Sequence, residues 1–301
     1  MLTINMIPSF CKHLQDNKQI EVFLMDSLSL KKKAIQLRKR TWQLIYRHHN
    51  GHTGSDLSCT DILVALYYGV LNQTPDTFED KNSDTYIQSK GHAVEIWYEI
   101  LADKGYIDQE DLDRRYSTFN SPYIGHPTTD VKGMEFHTGS LGHGLGLCVG
   151  VALAAKMDHL KKRTFVLMGD GEQAEGSVWE AAMAASNYSL DNLTAIIDHN
   201  DLQITGTTDS VMRSNPLSNK YEAFGWDVIE VNGNNIDALV DVLNKPNNTG
   251  KPRVIIANTV KGKGITVAEN RADWHHKIPT KEEYQEGLQE LDTQLEGLNN
   301  D

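Results

Sequence analysis

From residue 164 onwards, short apolar segments alternate with segments of helical pattern, and this order constrains the fold more than any other feature. Apolar segments rich in β-branched residues occur at "TFVLM" (164–168), "LTAIIDHN" (193–200), "WDVIEVNG" (226–233) and "PRVIIANTV" (252–260). A helical segment separates each of them from the next. Strands that alternate with helices predict an α/β fold, a parallel sheet with helices on both faces. Ligands of such sheets bind beyond the carboxyl ends of the strands.

The first half of the chain is predicted to supply further helices and one short strand. We predict helices at about Ser29–His49 and Cys59–Leu71. The segment "NSDTYIQSKGHA" (82–93) reads as a strand that enters a glycine turn and a helix. Residues 138–160 are rich in Gly, Ala, Leu and Val, which is typical of a closely packed buried helix. A capping box at Ser177–Glu180 predicts the start of a helix that runs to about Asn187.

The chain divides into one large domain with two flanking segments. We expect residues 29–280 to form the domain. Residues 1–28 are weakly patterned and are expected to be a loose N-terminal extension. Residues 281–301 are acidic and rich in glutamine, and a fraying helical tail is expected there.

Composition and charge exclude several classes of function. The 301 residues carry a formal charge of −12, which argues against broad nucleic-acid binding. Apolar runs such as 62–71 are about half the roughly 20 residues that span a membrane. The basic stretch at 31–40 reads as a solvated helix face rather than an anion site. The three scattered cysteines (Cys11, Cys59 and Cys148) form no disulfide framework, so a reducing cytoplasm is expected.

Polar side chains follow two of the predicted strands at the point where each strand ends. Asp170 lies between two glycines after the strand at 164–168, and Asn200 follows the next strand 30 residues later. If these strands are neighbours, the two side chains meet in one crevice, with backbones about 5 Å apart. Oxygen ligands of this kind suit Mg²⁺ or Ca²⁺. The glycines at 169 and 171 allow a diphosphate to approach the backbone closely.

Seven motifs in order give the chain a specific resemblance, which covers roughly residues 30–280. They are Gly51-His52-Thr53-Gly54, "SKGHA" (89–93), Gly125-His126-Pro127, "TGSLGHGLG" (138–146), "GDGEQAEGSVWEAA" (169–182), "DNLTAIIDHNDLQITG" (191–206) and "TVKGKG" (259–264). In this order they resemble transketolase, an enzyme that uses thiamine diphosphate and Mg²⁺. The resemblance implies the transfer of a two-carbon ketol unit from a ketose, or its phosphate, to an aldose.

The resemblance also implies a role for each matching residue. Metal ligands would be the side chains of Asp170 and Asn200 and the backbone carbonyl of Leu202. The cofactor diphosphate would contact the Gly171 N–H, His92 and His275, and the cofactor rings would lie against Gly139 and Leu141. His52 and His126 would face the substrate and transfer protons, which requires groups that titrate near neutrality. Glu175 resembles the acid that links the two active sites of the dimer.

The chain has about half the length of a transketolase and matches only its diphosphate-binding part. The resemblance therefore implies the N-terminal subunit of a split transketolase. The pyrimidine-binding domain and its activating glutamate would lie on a separate C-terminal subunit, in a heterotetramer with two copies of each. The chain alone is then expected to be inactive. Neither a nucleic acid nor a membrane is expected as a partner.

Three positions depart from the family pattern. Thr53 stands where proline is common, which relaxes that turn without changing the chemistry of His52. His276 replaces a glycine that commonly follows the position of His275, so that either histidine could contact the diphosphate. His143 stands where glutamine is common, and it could contact the cofactor or cap the following helix.

Four alternative hypotheses compete with this one. The glycines at 142, 144 and 146 lack the spacing and the preceding strand of a dinucleotide site. A zinc site at His48, His49 and His52 lacks a suitably spaced fourth ligand. Relatives that share the cofactor act as deoxyxylulose-phosphate synthases or 2-oxoacid dehydrogenase components, and specialised split enzymes act on unusual sugar phosphates or sulfonates. A non-catalytic scaffold subunit is opposed by the retained Asp170 and Asn200 and the histidines of the motifs.

Overall fold

The computed structural model describes residues 25–300 and places five parallel strands in one sheet. The order across the sheet is β1-β2-β3-β5-β4. The strands are β1 (Thr85–Gln88), β2 (Thr164–Gly169), β3 (Leu193–His199), β4 (Asp227–Asn232) and β5 (Arg253–Asn258). All four predicted strands of the second half are present, and the predicted parallel α/β fold is confirmed. The strands that precede Asp170 and Asn200 are direct neighbours in the sheet.

Ten helices surround the sheet in the described part of the chain. Apolar side chains of α1, α2, α3 and α9 form the core on one face, and those of α5, α6 and α8 form the core on the other. None of the described helices has the length and apolar character needed to cross a membrane. The helices are α1 (Ser27–His48), α2 (Thr53–Gly69), α3 (Val94–Asp103), α4 (Gln109–Arg115), α5 (Gly144–Met157), α6 (Gly176–Asn187), α7 (Thr208–Val211), α8 (Leu217–Ala223), α9 (Ile236–Asn244) and α10 (Lys281–Asn300).

The central strands consist of apolar residues because both faces of the sheet are covered. Val166 and Leu167 of β2 point to opposite faces and are both fully buried, as are Ile196 and Ile197 of β3. Complete burial of one such side chain contributes about 1.5–3 kcal/mol. The sheet therefore holds the carboxyl ends of β2 and β3 in a fixed register, and the loops that follow them start from a rigid edge.

Three local predictions differ from the structure. Helix α2 begins at Thr53, six residues before the predicted start, because the Gly51-His52 turn leads directly into it. The predicted capping box at Ser177–Glu180 is wrong: α6 begins at Gly176 after Glu175, and no side chain caps its first turn. The Ser177 hydroxyl instead donates to the Gly142 carbonyl at 2.9 Å, so tertiary contact outweighs local capping. Helix α5 is predicted to be buried, but only one of its faces is, because Gly146 and Gly150 on the other face are exposed.

The C-terminal helix α10 packs against α1. The Trp42 indole N–H donates to the Tyr284 carbonyl at 3.0 Å, and its ring stacks on Trp274 with centroids 5.7 Å apart. Gly287 lies directly against this indole ring. Residues 281–300 thus form one continuous helix against the domain. The expected extension at 1–28 lies outside the described residues apart from 25–28.

Two glycines of α5 test the packing of this helix against the end of β1. A Cβ on Gly144 would lie 2.8 Å from the Ser89 Cα, whereas a Cβ on Gly150 would meet nothing within 4 Å. We expect Gly144→Ala to lower the free energy of unfolding by about 1–3 kcal/mol through overpacking. Gly150→Ala is the matched control and should raise it by about 0.5–1 kcal/mol. Urea unfolding measures both, and equal effects would contradict this packing.

Candidate functional site

A cavity of about 540 Å³ opens at the carboxyl ends of the strands. The loops after β1, β2, β3 and β5 all contribute to its wall, as expected for a parallel sheet. Ten of the eleven residues singled out from the sequence line it. They are His52, His92, Gly139, Leu141, Asp170, Gly171, Glu175, Asn200, Leu202 and His275. The eleventh, His126, lies beside the cavity with its ring centroid 5.8 Å from that of His52.

An ion pair between Lys90 and Asp198 forms the floor of the cavity. Both side chains are almost completely buried, and the Lys90 ammonium donates to Asp198 Oδ2. Asp198 also accepts hydrogen bonds from the hydroxyls of Ser58 and Thr259. These contacts keep the pKa of Asp198 below its usual range despite burial, so the pair is charged at neutral pH. The floor therefore joins α2 to the loops or ends of β1, β3 and β5.

Asp170 is a buried carboxylate with three donors in the described chain. Its Oδ1 accepts from the Gly171 N–H at 2.7 Å, and its Oδ2 accepts from the Asp201 N–H at 2.6 Å and the Thr208 hydroxyl at 3.2 Å. Asp201 has a left-handed backbone (φ 60°), which aims its N–H at the carboxylate. Burial, and next the charge of Asp198, raises the pKa of Asp170. A bound cation would remove this penalty on the charged form.

Asn200 and Leu202 lie beside Asp170 along the same wall. The Asn200 Oδ1 accepts from the Leu202 N–H at 3.2 Å, and the Leu202 carbonyl accepts from the Lys261 ammonium at 3.2 Å. The sheet thus brings together one carboxylate, one amide oxygen and one backbone carbonyl at the edge of the cavity. These are oxygen ligands of the type that Mg²⁺ and Ca²⁺ prefer.

A second group of possible ligands shares Asp170. Ligand atoms of Asp170, His199 and Asp201 lie within 4.8 Å of one another. The His199 Nδ1 is already 2.8 Å from the Asn258 Oδ1, and its Nε2 is 3.2 Å from the Asn215 Oδ1. Both imidazole nitrogens of His199 are therefore engaged, and an imidazole nitrogen has at most one lone pair. The oxygens of Asn200 and Leu202 each accept one hydrogen bond and keep a second lone pair for a cation, which makes the His199 set the weaker of the two.

Histidine rings form a cluster around His52. Its ring centroid lies 5.3 Å from that of His92, 5.7 Å from that of His275 and 4.5 Å from that of His276. Burial is the first cause of the low pKa of His52 and of His275, each about 3. Burial likewise lowers the pKa values of His92 and His126. Burial, together with the charges of Lys90 and Lys261, keeps the rings of His52, His92 and His275 neutral, and burial alone does so for His126. In the free chain, His52 and His126 therefore do not titrate near neutrality as the sequence led us to expect.

His275 and His276 differ in their positions relative to the cavity. His275 lines the cavity, and its Nδ1 lies 3.1 Å from the Lys261 ammonium. His276 lies outside the cavity lining and packs its ring at 89° to that of His52. His143 is exposed at the start of α5, with its Nδ1 3.2 Å from the Ser140 and Leu141 carbonyls. Its contacts in the structure are thus with the loop rather than with the cavity.

Two buried contacts shape the loops above the carboxyl-terminal edge of the sheet. The Glu172 carboxylate accepts from the N–H groups of Gly142 at 2.8 Å and Gly169 at 3.1 Å, and from the Ser89 hydroxyl. One side chain thereby ties three loops together. Gly139 has φ +131°, and a Cβ there would lie 2.5 Å from the His126 ring. Only glycine therefore allows His126 to lie so close to this loop.

Glu175 lies at the open rim of the cavity, immediately before α6. Its side chain is exposed, and its Cβ lies so close to Gly142 that a Cβ on that glycine would be 2.6 Å away. Ile204 and Met212 are also exposed on the cavity wall, at 67 % and 60 %. Exposed apolar side chains therefore adjoin an exposed acid at this rim.

Lys261 is the main residue that sequence reasoning missed. Its side chain is 1 % exposed and lines the cavity, with a carbonyl and an imidazole but no carboxylate as hydrogen-bond partners among the described residues. Burial, and next the charge of Lys90, lowers the pKa of Lys261 to about 8. Lysines that closely follow buried strands were the available signal in "SKGHA" and "TVKGKG". Lys90, Ser55 and Gln203 line the cavity and were missed as well.

Comparison with known proteins places this geometry in a family. The model of the transketolase thiamine diphosphate binding domain matches residues 30–293. The chain is 46 % identical over 262 residues to one subunit of the apulose-4-phosphate transketolase of Phocaeicola vulgatus, covering 87 % of this chain and 93 % of the relative. It is 37 % identical over 270 residues to the 6-deoxy-6-sulfo-D-fructose transketolase subunit SqwG of a Clostridium species, covering 88 % and 97 %.

A solved structure gives the same result for the fold. Transketolase from Campylobacter jejuni superposes with a TM-score of 0.80 at 27 % sequence identity. The match covers 92 % of this chain but only 48 % of the Campylobacter chain. The chain therefore spans about half the length of that full transketolase, while it spans nearly all of the two relatives that are named as subunits.

The two buried lysines of the cavity should respond in opposite ways to removal of their charge. Lys90→Met leaves Asp198 buried without its cation and should lower the free energy of unfolding by about 3–5 kcal/mol. Lys261→Met removes an unpaired buried charge and should raise it at pH 7, by roughly 1–3 kcal/mol.

The pH dependence gives the control for Lys261. Because burial lowers the folded-state pKa of Lys261 to about 8, the buried charge lowers the free energy of unfolding by its full amount below pH 8. This destabilisation disappears as the pH rises from 8 toward the ordinary lysine pKa near 10.5. The increase in the free energy of unfolding caused by Lys261→Met should therefore shrink over that range. Urea unfolding at pH 7 and pH 10 measures this, and a destabilised Lys261→Met at both pH values would contradict the account.

Proposed function

This chain belongs to the family of transketolase thiamine diphosphate binding domains, and we propose that it is the N-terminal subunit of a split transketolase. Together with a separate C-terminal subunit, it transfers a two-carbon ketol unit from a ketose donor to an aldose acceptor. The observation that carries the proposal is one wall of the cavity, where Asp170, Asn200 and the Leu202 carbonyl lie next to the buried, carboxylate-free Lys261.

The residues of the cavity fit a diphosphate cofactor. Two of its polar atoms, the His52 Nδ1 and the Gln203 Nε2, are buried without a hydrogen-bond partner in the described chain. Lys261, His92 and His275 offer a cation and two imidazoles on the same wall, and Gly171 offers close backbone approach. Such donors are what the oxygens of a diphosphate require. When bound, thiamine diphosphate supplies the electron sink for breaking the bond next to a ketose carbonyl.

We assign the metal to Asp170, Asn200 and the Leu202 carbonyl, and we propose Mg²⁺ as the ion. Three protein oxygens would leave positions around the ion for the diphosphate and water, as is usual for Mg²⁺ sites. The Asp201 N–H and the Thr208 hydroxyl hold Asp170 in place. Gly139 and Leu141 line the cavity and would form the surface against which the rings of the cofactor pack.

His52 and His126 are proposed to transfer protons to and from the sugar. A neutral imidazole can accept a proton at pH 7, and burial keeps both rings neutral in the free chain. An anionic diphosphate nearby would raise the pKa values of the ring cluster toward the neutral range, where acid–base catalysis is most effective. Lys90 and Lys261 hold positive charge beneath the rings and stabilise negative charge that develops on the substrate.

The proposed partner subunit completes the site at its exposed rim. The chain matches only 48 % of a full transketolase, and relatives of similar length are named as subunits. Glu175, Ile204 and Met212 lie exposed at the mouth of the cavity, where a second chain can cover them. We propose a heterotetramer with two copies of each subunit, in which Glu175 lies between the two active sites. The partner supplies the glutamate that activates the cofactor.

The proposed donor is a ketose that carries a phosphate or a sulfonate. Two relatives are named for apulose 4-phosphate and for 6-deoxy-6-sulfo-D-fructose, both of which carry an anionic group. The test is to produce the chain together with its C-terminal subunit, then to assay a panel of such ketoses with an aldose acceptor. We expect transfer that depends on thiamine diphosphate and Mg²⁺. The absence of transfer from every donor would contradict the proposal.

Substitutions distinguish the two possible ligand sets for the metal. Removal of outer-shell partners typically lowers metal affinity 10–100-fold, so loss of a direct ligand should cost at least about 100-fold. We expect this loss in Asp170→Ala and Asn200→Ala, measured as Mg²⁺-dependent cofactor binding by calorimetry on the two-subunit assembly. Asp201→Asn is the control and should bind nearly as wild type. A large loss in Asp201→Asn with none in Asn200→Ala would instead favour His199 and Asp201 as ligands.

A further inference from the structure

Two acidic side chains lie completely buried next to each other outside the cofactor cavity. Asp56 is on the first turn of α2, Glu95 is on the first turn of α3, and both are 0 % exposed. The Asp56 carboxyl group lies beside the start of α3, because it accepts a hydrogen bond from the N–H of Ile96, the residue that follows Glu95. Asp56 Oδ2 and Glu95 Oε2 have no N–H or O–H donor in the described chain. The other oxygen of each carboxyl group, Asp56 Oδ1 and Glu95 Oε1, accepts a hydrogen bond from a different residue.

The contacts of this pair join α2, α3 and the turn that carries His52. The Asp56 Oδ1 accepts from the Ile96 N–H at 3.1 Å, which ties the start of α2 to the start of α3. The Glu95 Oε1 accepts from the Tyr116 hydroxyl. The Asp56 backbone N–H donates to the His52 carbonyl at 3.1 Å. The pair therefore lies between the start of α3 and the residue immediately before α2.

The turn is shaped so that Glu95 can lie beneath it. Gly51 has φ +147°, and a Cβ there would lie 2.5 Å from the Ile45 side chain and 3.4 Å from the Glu95 Cδ. A side chain at 51 would thus force the turn away from both residues. His52 follows directly and projects its ring into the cluster of histidines.

We propose that Asp56 and Glu95 share one proton and that this protonated pair is the positioning element for His52. The pair is not catalytic, because neither side chain lines the cofactor cavity. With one proton, each carboxyl group has a partner for its inner oxygen, and the carboxyl groups form a fixed bridge under the turn. Without that proton, two buried anions would repel each other and push α2 and α3 apart.

The surroundings of the pair favour retention of this proton. Burial, and for Asp56 next the charge of Glu95, raises the pKa of both carboxyl groups. Lys90 is a cation that faces the pair, and Asp198 already neutralises it. The titratable groups that face the pair from the neighbouring elements are Lys90, Cys59, Tyr98 and Tyr116.

Infrared spectroscopy of the full 301-residue chain detects the shared proton directly. At pH 8, the wild type minus Glu95→Gln difference spectrum should contain the carbonyl stretch of a protonated carboxyl group. Asp56→Asn should remove the same band, and Glu110→Gln, an exposed glutamate on α4, is the control that should retain it. If both isosteric variants keep the band of the wild type, the shared proton does not exist.

Measurements of Tm distinguish a hydrogen-bonded Asp56–Glu95 pair from two buried acids that do not interact. Glu95→Gln keeps a donor toward Asp56 and should retain the wild-type Tm within about 3 °C. Glu95→Ala leaves a cavity and a buried carboxyl group without its partner, and should lower Tm by about 5 °C or more. Asp56→Asn should resemble Glu95→Gln. A Glu95→Gln protein as unstable as Glu95→Ala would overturn the bridge.

The positioning role is read from the His52 ring itself. In ¹⁵N-labelled protein, Glu95→Ala should shift the imidazole signals of His52, assigned with His52→Gln, whereas Glu95→Gln should retain them. Unchanged His52 signals in Glu95→Ala would overturn the positioning role. The importance of His52 rests on the proposed function, but none of these measurements needs cofactor, partner or substrate. An inactive two-subunit assembly with an intact carboxyl band would therefore contradict the proposed function alone.

Discussion

The buried ion pair between Lys90 and Asp198 is the contact on which the rest of the site depends. Lys90 comes from the loop after β1 and Asp198 from the end of β3, two strands away across β2. The hydroxyls of Ser58 and Thr259 also donate hydrogen bonds to the Asp198 carboxylate, so that four segments of the chain meet at this point. A buried pair of this kind contributes little net stability, but loss of either partner is costly. It fixes the relative positions of the loops that form the cavity.

The Lys90–Asp198 pair has no net charge, but the cavity above it contains charged groups that the described chain does not balance. Lys261 is buried without a carboxylate, Asp170 is buried without a cation, and the pKa of each is displaced toward its neutral form. A protein core built for stability alone would avoid both. An anionic diphosphate and a divalent cation bound together would balance them at once. The unbalanced charges of Lys261 and Asp170 are thus the physical reason to infer that a diphosphate and a divalent cation bind at this wall of the cavity.

The sequence predicts those parts of the fold and site that depend on strand order alone. Asp170 and Asn200 follow adjacent parallel strands, so their proximity follows from spacing. Other features depend on contacts between distant segments, which spacing does not encode. Ser177 fits a local capping box, yet its hydroxyl bonds a carbonyl 35 residues away. Glu172 ties three loops, and the Asp56–Glu95 pair joins two helix starts, although each looks like an ordinary acid in the sequence.

The central claim is that one metal ion lies between Asp170, Asn200 and the Leu202 carbonyl. The most direct test is anomalous diffraction from crystals of the two-subunit assembly, grown with thiamine diphosphate and with Mn²⁺ in place of Mg²⁺. The account predicts one manganese peak within about 2.2 Å of oxygens from all three residues. A peak held by His199 and Asp201, or bound cofactor with no peak beside Asp170, would contradict it.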